Sequence, residues 1–232
     1  MQAKEQSFRS FAHEEELQRA KWFKQDLDKG GWSEAYKCAG SSYWIKTFHD
    51  EEVPTKILFT FEMPMPAESF VQLLHPSNQE IRNKWDGAFK EHATLEAYPD
   101  DQGYVTFMRA KASWPLKDRG FVLFHPPNKE VDWYGKKSLF VIQKNAWHPS
   151  KPANEDGLVR ATNGGNFFIV TPDEKEPKAA CKVFGLTNNN YNGWLPKTNI
   201  KWLLSRVVPR SFNKLREGMI NGYRRYFEKG QD

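Results

Sequence analysis

Six histidines, at positions 13, 49, 75, 92, 125 and 148, are the first residues to test for chemistry. None stands in an HxH or HExxH spacing, the arrangements that place two imidazoles on one metal, so no zinc site is expected. The nucleophile elbow GxSxG, the Walker loop and the dinucleotide fingerprint GxGxxG are missing as well. Asn163-Gly164-Gly165-Asn166 has the glycines of a phosphate cradle, but its strand-like flanks read as a hairpin turn. Carboxylates are scattered, with no acid–base pair visible in the sequence. Basic residues interleave with aromatics near the C-terminus, yet no RNP, KH or helix-turn-helix pattern accompanies them. No cofactor, no metal and no nucleic-acid partner is expected. An enzyme is unsupported, although the sequence does not exclude one.

The elements that would position these residues are legible in outline. Residues 8–29 read as a helix, with Leu17, Ala20, Phe23 and Leu27 at three- and four-residue spacing. Glu14, Glu15 and Glu16 precede Arg19, Lys21 and Lys24, the order that suits a helix dipole, and Gly30-Gly31 stops the element. Strand-like runs follow at 32–38, 43–49 and 56–62. In the last, Ile57, Phe59 and Phe61 alternate with Leu58, Thr60 and Glu62. Pro66 opens a second helix marked by Ala67, Phe70, Val71 and Leu74. Ser77 to Glu80 has capping-box spacing and predicts a third helix through Trp85. Further strands are expected at 88–98, 103–112, 119–125, 137–147, 158–171 and 178–188, broken by turn signals that include Pro126-Pro127-Asn128. That makes nine. Beyond Pro196, a stripe of Ile200, Leu203, Leu204, Val207, Phe212, Leu215 and Met219 predicts a helix over 196–229, bent or interrupted at Pro209.

The chain has 232 residues, and 15% are aromatic, too many for a disordered chain. With no repeat or linker, residues 1–232 read as one domain. Its 34 basic and 29 acidic residues leave a charge of +5. Two readings fit that surplus: a mixed solvated surface, or a basic face drawn to an anionic membrane. Cys38 and Cys181 form no CxxC, which favours a reducing compartment. The first residues lack the apolar core of a secretory signal, and apolar runs such as Leu139-Phe140-Val141-Ile142 are far too short to span a bilayer. A soluble, cytoplasmic monomer is expected.

Four segments in order resemble START domains, the StAR-related lipid-transfer modules, and sit nearest to the phosphatidylcholine-transfer-protein-like branch. Arg82-Asn83-Lys84-Trp85-Asp86 is similar to that family's R-x-x-W-D. Ser113-Trp114-Pro115-Leu116-Lys117-Asp118-Arg119-Gly120-Phe121-Val122 resembles its W-P strand. Asp156-Gly157-Leu158-Val159-Arg160 is similar to a strand start, and Gly193-Trp194-Leu195-Pro196 to the approach to the last helix. The resemblance implies an α+β helix-grip fold: a curved nine-stranded antiparallel sheet wrapped around a long C-terminal helix, enclosing a lipid cavity. It implies a non-enzymatic carrier of one lipid that meets membranes transiently. An enzyme on the same scaffold, cyclase- or hydrolase-like, and a lipid-sensing module are the other classes it allows.

For cargo, the resemblance places Arg82 where phosphatidylcholine carriers present a basic residue to phosphate, and Asn166 at a polar amide position. The choline-cage positions align with Met108, Phe121 and Gly164, of which one is aromatic, so capture of a quaternary ammonium is not favoured. Sterol carriers place an acid–base pair where Thr106 and His125 stand here. A phospholipid is thus favoured over a sterol or another lipid. The expected lipid-binding residues are Arg82, Met108, Phe121, Leu123, Asn166, Phe168, Leu203, Val207, Phe212 and Leu215. Residue by residue, plainer readings stand beside these: Arg82 as a surface or capping arginine, Trp85 as core packing, His125 as a structural histidine.

Overall fold

A computed structural model describes residues 12–38, 40–99, 102–111, 117–152, 157–193 and 208–228. The chain opens with helix α1 (His13–Asp28), then strands β1 (Ser33–Cys38), β2 (Ser41–Thr47) and β3 (Thr55–Met63). Helix α2 (Ala67–Leu74), a 3₁₀ turn at Pro76–Asn78 and helix α3 (Gln79–Trp85) come next. The strands resume as β4 (Phe89–Ala97), β5 (Tyr104–Ala110), β6 (Asp118–His125), β7 (Lys129–Trp133) and β8 (Lys136–Asn145). They continue as β9 (Leu158–Arg160), β10 (Thr162–Asn163), β11 (Asn166–Pro172), β12 (Cys181–Thr187) and β13 (Asn189–Asn190), followed by helix α4 (Val208–Tyr226).

The main sheet runs β1-β2-β3-β12-β11-β8-β6-β5-β4 and is antiparallel along that path, with β7 added beside β8 and β9 parallel to β6. β10 and β13 form a separate two-stranded sheet. The α+β class and the sheet closed by a C-terminal helix are as the resemblance implied. The strand count differs because 158–171 breaks into three pieces and because β7 and β13 lie outside the expected strands. Its connection to β8 is the two residues Tyr134 and Gly135, both at positive φ (53° and 80°), which is the twist a tight hairpin needs.

Both faces of the sheet are covered. α1 lies on the outer face, where Leu17, Ala20 and Phe23 pack with Leu58, Phe140, Phe167 and Ile169. α2 and α4 close the inner face, where Phe70, Leu73 and Met219 pack with Phe59, Phe61, Val170 and Val183. Each fully buried Phe of these layers contributes about 1.5–3 kcal/mol through the hydrophobic effect. α3 is pinned between β4 and α4: Trp85 rests on Gly222, where an added Cβ would stand 2.9 Å from the indole Cγ.

Three local expectations are corrected. The capping box at Ser77 does not form; His75 Nδ1 accepts from the Ser77 amide (3.2 Å), and α3 starts two residues later. The Asn163–Asn166 segment is no hairpin turn, because β10 pairs with β13 while β11 pairs with β8 and β12, so the two glycines carry the chain between sheets. The first helix starts at His13, and residues 1–11 lie outside the description. So do Leu203, Val207 and the rest of 194–207; the bend expected at Pro209 falls where side chains are not described.

Candidate headgroup site on the concave face

Arg82 is not a surface arginine. It is only 4% exposed, and its Nε donates to Asp86 Oδ2 at 3.2 Å, one helical turn further on. His92, on β4, brings Nε2 to 3.3 Å from the same oxygen, while Asp86 Oδ1 accepts from the Ala88 amide at 3.3 Å. Phe89 lies 6.0 Å below the guanidinium and 4.7 Å from the His92 ring. One edge of the arginine is thereby fixed. On the other, Nη1 is buried and has no hydrogen-bond partner among the described residues. The same holds for both amide atoms of Gln79, which precedes Arg82 by three residues and shares its helix face.

The electrostatics follow from burial. Burial lowers the Arg82 pKa against the pull of Asp86. For Asp86, burial would raise the carboxyl, but the adjacent His92 ring and the Arg82 charge outweigh it and hold the group below its ordinary value. Burial, with Arg82 adding to it, pushes His92 down to about 4. His125, on the inner face of β6, is pushed to about 3 by burial and by the charges of Arg82, His75 and His92. Both histidines are neutral at pH 7. His125 Nε2 meets Thr106 Oγ1 at 2.9 Å, so the two positions that would carry an acid–base pair instead carry a neutral one. A small cleft beside them is walled by Val71, Leu74, His75, Tyr104, His125 and Val141, among others.

The apolar members of the expected lipid-binding set that the structure describes fall into two groups. Met108, Phe121 and Leu123 cluster with Ala161 on the inner face of β5 and β6, and register places Thr106 and His125 on that same face. Phe168, Phe212 and Leu215 belong with the main inner core, where Phe212 lies 5.1 Å from Phe59, tilted by 48°, and Phe168 lies 6.2 Å from Phe70. Asn166 is buried and ties Gln143 (3.5 Å) to the Asn188 amide (2.7 Å). Gly164 is filled by the Asn188 amide, 2.5 Å from where a Cβ would stand, so no cage wall is available there. Sequence reasoning missed Gln79, Asp86 and His92 as members of the site. The four-residue spacing of Arg82 and Asp86 was a readable ion-pair signal; nothing marked His92.

A curved antiparallel sheet that grips its C-terminal helix, with buried polar groups at one end of an apolar inner face, is a helix-grip architecture. The START domain family profile matches residues 13–221, and the chain belongs to that family. Among curated relatives, "Steroidogenic acute regulatory protein, mitochondrial" of Danio rerio is 32% identical over 85 residues, covering 37% of this chain and 29% of the relative. The protein of the same name from Oncorhynchus mykiss is 25% identical over 203 residues, 84% of this chain and 65% of the relative. The chain therefore spans less than two thirds of these relatives' length. Among solved structures, human STARD10 superposes with a TM-score of 0.70 at 22% identity, covering 91% of this chain and 82% of that one. Human StAR-related lipid transfer protein 5 gives 0.69 at 16% identity, covering 90% and 97%. Among the described residues no helix is long and apolar enough to cross a membrane, and no His/Cys/Asp/Glu group could hold a metal.

Proposed function

We propose that this chain carries one phospholipid, with its acyl chains along the apolar inner face and its phosphate on Arg82, and does no chemistry on it. The observation that supports this reading is the buried arginine with one edge anchored by Asp86 and Nη1 unpartnered. A buried guanidinium with unmet donors suits an anionic oxygen, which it binds by short charge-assisted hydrogen bonds. Family membership supports lipid carriage as such. Each acyl CH₂ removed from water contributes about 0.8 kcal/mol, enough to hold a lipid without a covalent bond. Part of the proposal is a monomer working in the cytoplasm that meets membranes only to exchange cargo.

A second reading rests on Thr106 and His125: their neutral pair suits a lone hydroxyl, the polar group of a sterol. Native mass spectrometry after incubation with mixed phosphatidylcholine, phosphatidylglycerol and cholesterol vesicles separates the two. The expected result is one bound phospholipid per chain, lost in an Arg82→Gln/Asp86→Asn double variant that keeps a neutral hydrogen-bonded pair in place. Bound cholesterol, retained by that variant and lost in Thr106→Val, would establish the second reading instead.

A further inference from the structure

The groups around Arg82 are almost all cationic or basic. Arg82 carries the charge, and burial beside it leaves His92 and His125 as neutral bases. Against them stands one acid, Asp86, and its oxygens are engaged: Oδ2 by Arg82 and His92, Oδ1 by the Ala88 amide. The neighbouring acids are engaged elsewhere, Glu91 by Lys151 at 3.6 Å and Asp118 by Lys90 and Arg109, each at 2.8 Å. None of these three carboxylates is left to meet an ammonium.

The aromatic route falls short of a cage as well. Of the aligned cage positions, Phe121 alone is aromatic, and its ring meets Tyr191 edge-to-face at 6.0 Å and 89°. Arg119 donates to the Tyr191 carbonyl at 2.9 Å, so a cation brought to that corner would meet a guanidinium. Gln79 offers instead an uncharged donor and acceptor beside Arg82, both unpartnered, which suit oxygens or hydroxyls. The sequence carries the same bias onward: from Tyr191 to Arg216 there are six basic residues, Lys197, Lys201, Arg206, Arg210, Lys214 and Arg216, and no Asp or Glu.

We infer that the cargo is a lipid whose head is net negative and carries no fixed cation, an anionic phosphate ester with free or hydroxylated oxygens in place of a zwitterion. This rests on the lipid-carrier reading above and narrows it. A zwitterionic head would bring a cation to a site whose nearby carboxylates are already paired and where a single aligned cage position, Phe121, is aromatic, and an unpaired buried charge is how a site rejects a competitor. Arg82 holds the phosphate, and Gln79 takes the remaining oxygens.

The test is a competition for the whole chain among vesicles holding equal amounts of phosphatidylcholine, phosphatidylglycerol, phosphatidic acid and cholesterol, the phospholipids with matched acyl chains. Bound lipid is then read by mass spectrometry. The expected result is a preference for phosphatidylglycerol and phosphatidic acid over phosphatidylcholine of about tenfold or more, equivalent to about 1.4 kcal/mol, erased by Arg82→Gln. Should that variant not fold, the wild-type ratio alone decides. Phosphatidylcholine bound as well as the anionic lipids would overturn the inference and leave phospholipid carriage standing; cholesterol dominating, or no lipid at all, would overturn both. Glycerol 3-phosphate and inorganic phosphate form a second arm. If either displaces the bound lipid at equimolar concentration, the site reads a free anion and the inference fails.

Discussion

Two buried histidines have strongly lowered proton affinity, and they make folding sensitive to acid. In the unfolded chain a histidine titrates near 6.5. In the folded chain His92 falls to about 4 and His125 to about 3. Between those values the unfolded state binds protons that the folded state refuses, so acid favours unfolding. The stability is complete above pH 6.5 and declines as pH falls toward 4, by about 1.4 kcal/mol per pH unit for each proton. Asp86 works in the same direction lower down: its depressed carboxyl stabilises the fold above its unfolded value of about 3.9 and loses that contribution as it protonates. Urea denaturation from pH 7.5 to 4.5 should show a midpoint that drops steadily below 6.5, and His125→Gln should remove about half of the slope. A flat midpoint would mean that these histidines are hydrated, not buried. Anion binding at Arg82 should raise both pKa values, so bound phospholipid should also shallow the slope.

At the scale of elements, α3 is where the sequence said most and where it also ran out. Arg82, Trp85 and Asp86 were legible as a motif, but the partner of Trp85 lies more than 130 positions along the chain, on α4, and pairing across such separations leaves no local signal. Contact with α4 needs glycine. A Cβ at Gly222 would stand 2.9, 3.0 and 3.2 Å from Cγ, Cδ1 and Cβ of Trp85, the root of the side chain and not its flexible end. Gly222→Ala would gain about 1 kcal/mol of helix propensity and lose about 1–3 kcal/mol to overpacking. The expected outcome is a lower thermal midpoint together with weaker lipid retention, because α3 carries Arg82 with it. Gly218→Ala, whose nearest neighbours are the Trp85 carbonyl at 3.2 Å and Cε3 at 3.5 Å, should be nearly neutral or stabilising. If both variants behave alike, Trp85 is not the close contact. The rest of the fold was legible where one face is buried against another: the stripe of Leu17, Ala20 and Phe23 on α1 and the alternation through Ile57, Phe59 and Phe61 on β3 both point inward as expected. β7 was not, because Lys-Glu-Val-Asp-Trp is a mostly polar edge strand behind two prolines. The Tyr134-Gly135 turn was its one readable sign.

For the whole molecule, carriage requires delivery, and the surface charge bears on how. The basic residues of the last helix divide in the structure. Arg216 is occupied, with Nε and Nη2 donating to the Glu62 carbonyl at 3.1 and 2.6 Å, so it ties α4 to β3. Lys214, Arg224 and Arg225 are exposed on α4. Each basic group close to an anionic bilayer contributes about 1 kcal/mol, and the attraction decays within a Debye length of about 8–10 Å at ordinary ionic strength. Transfer of a fluorescent phospholipid between vesicles should therefore quicken when the acceptor contains anionic lipid and slow as salt is added. Lys214→Glu with Arg224→Glu should remove the dependence on acceptor charge while leaving the bound lipid in place, since neither side chain belongs to the inner face. Arg216→Glu should behave differently: it breaks the tie to β3 and should lower stability as well as transfer. Rates indifferent to acceptor charge in both the parent and the double variant would assign the exposed lysine and arginines to solvation alone.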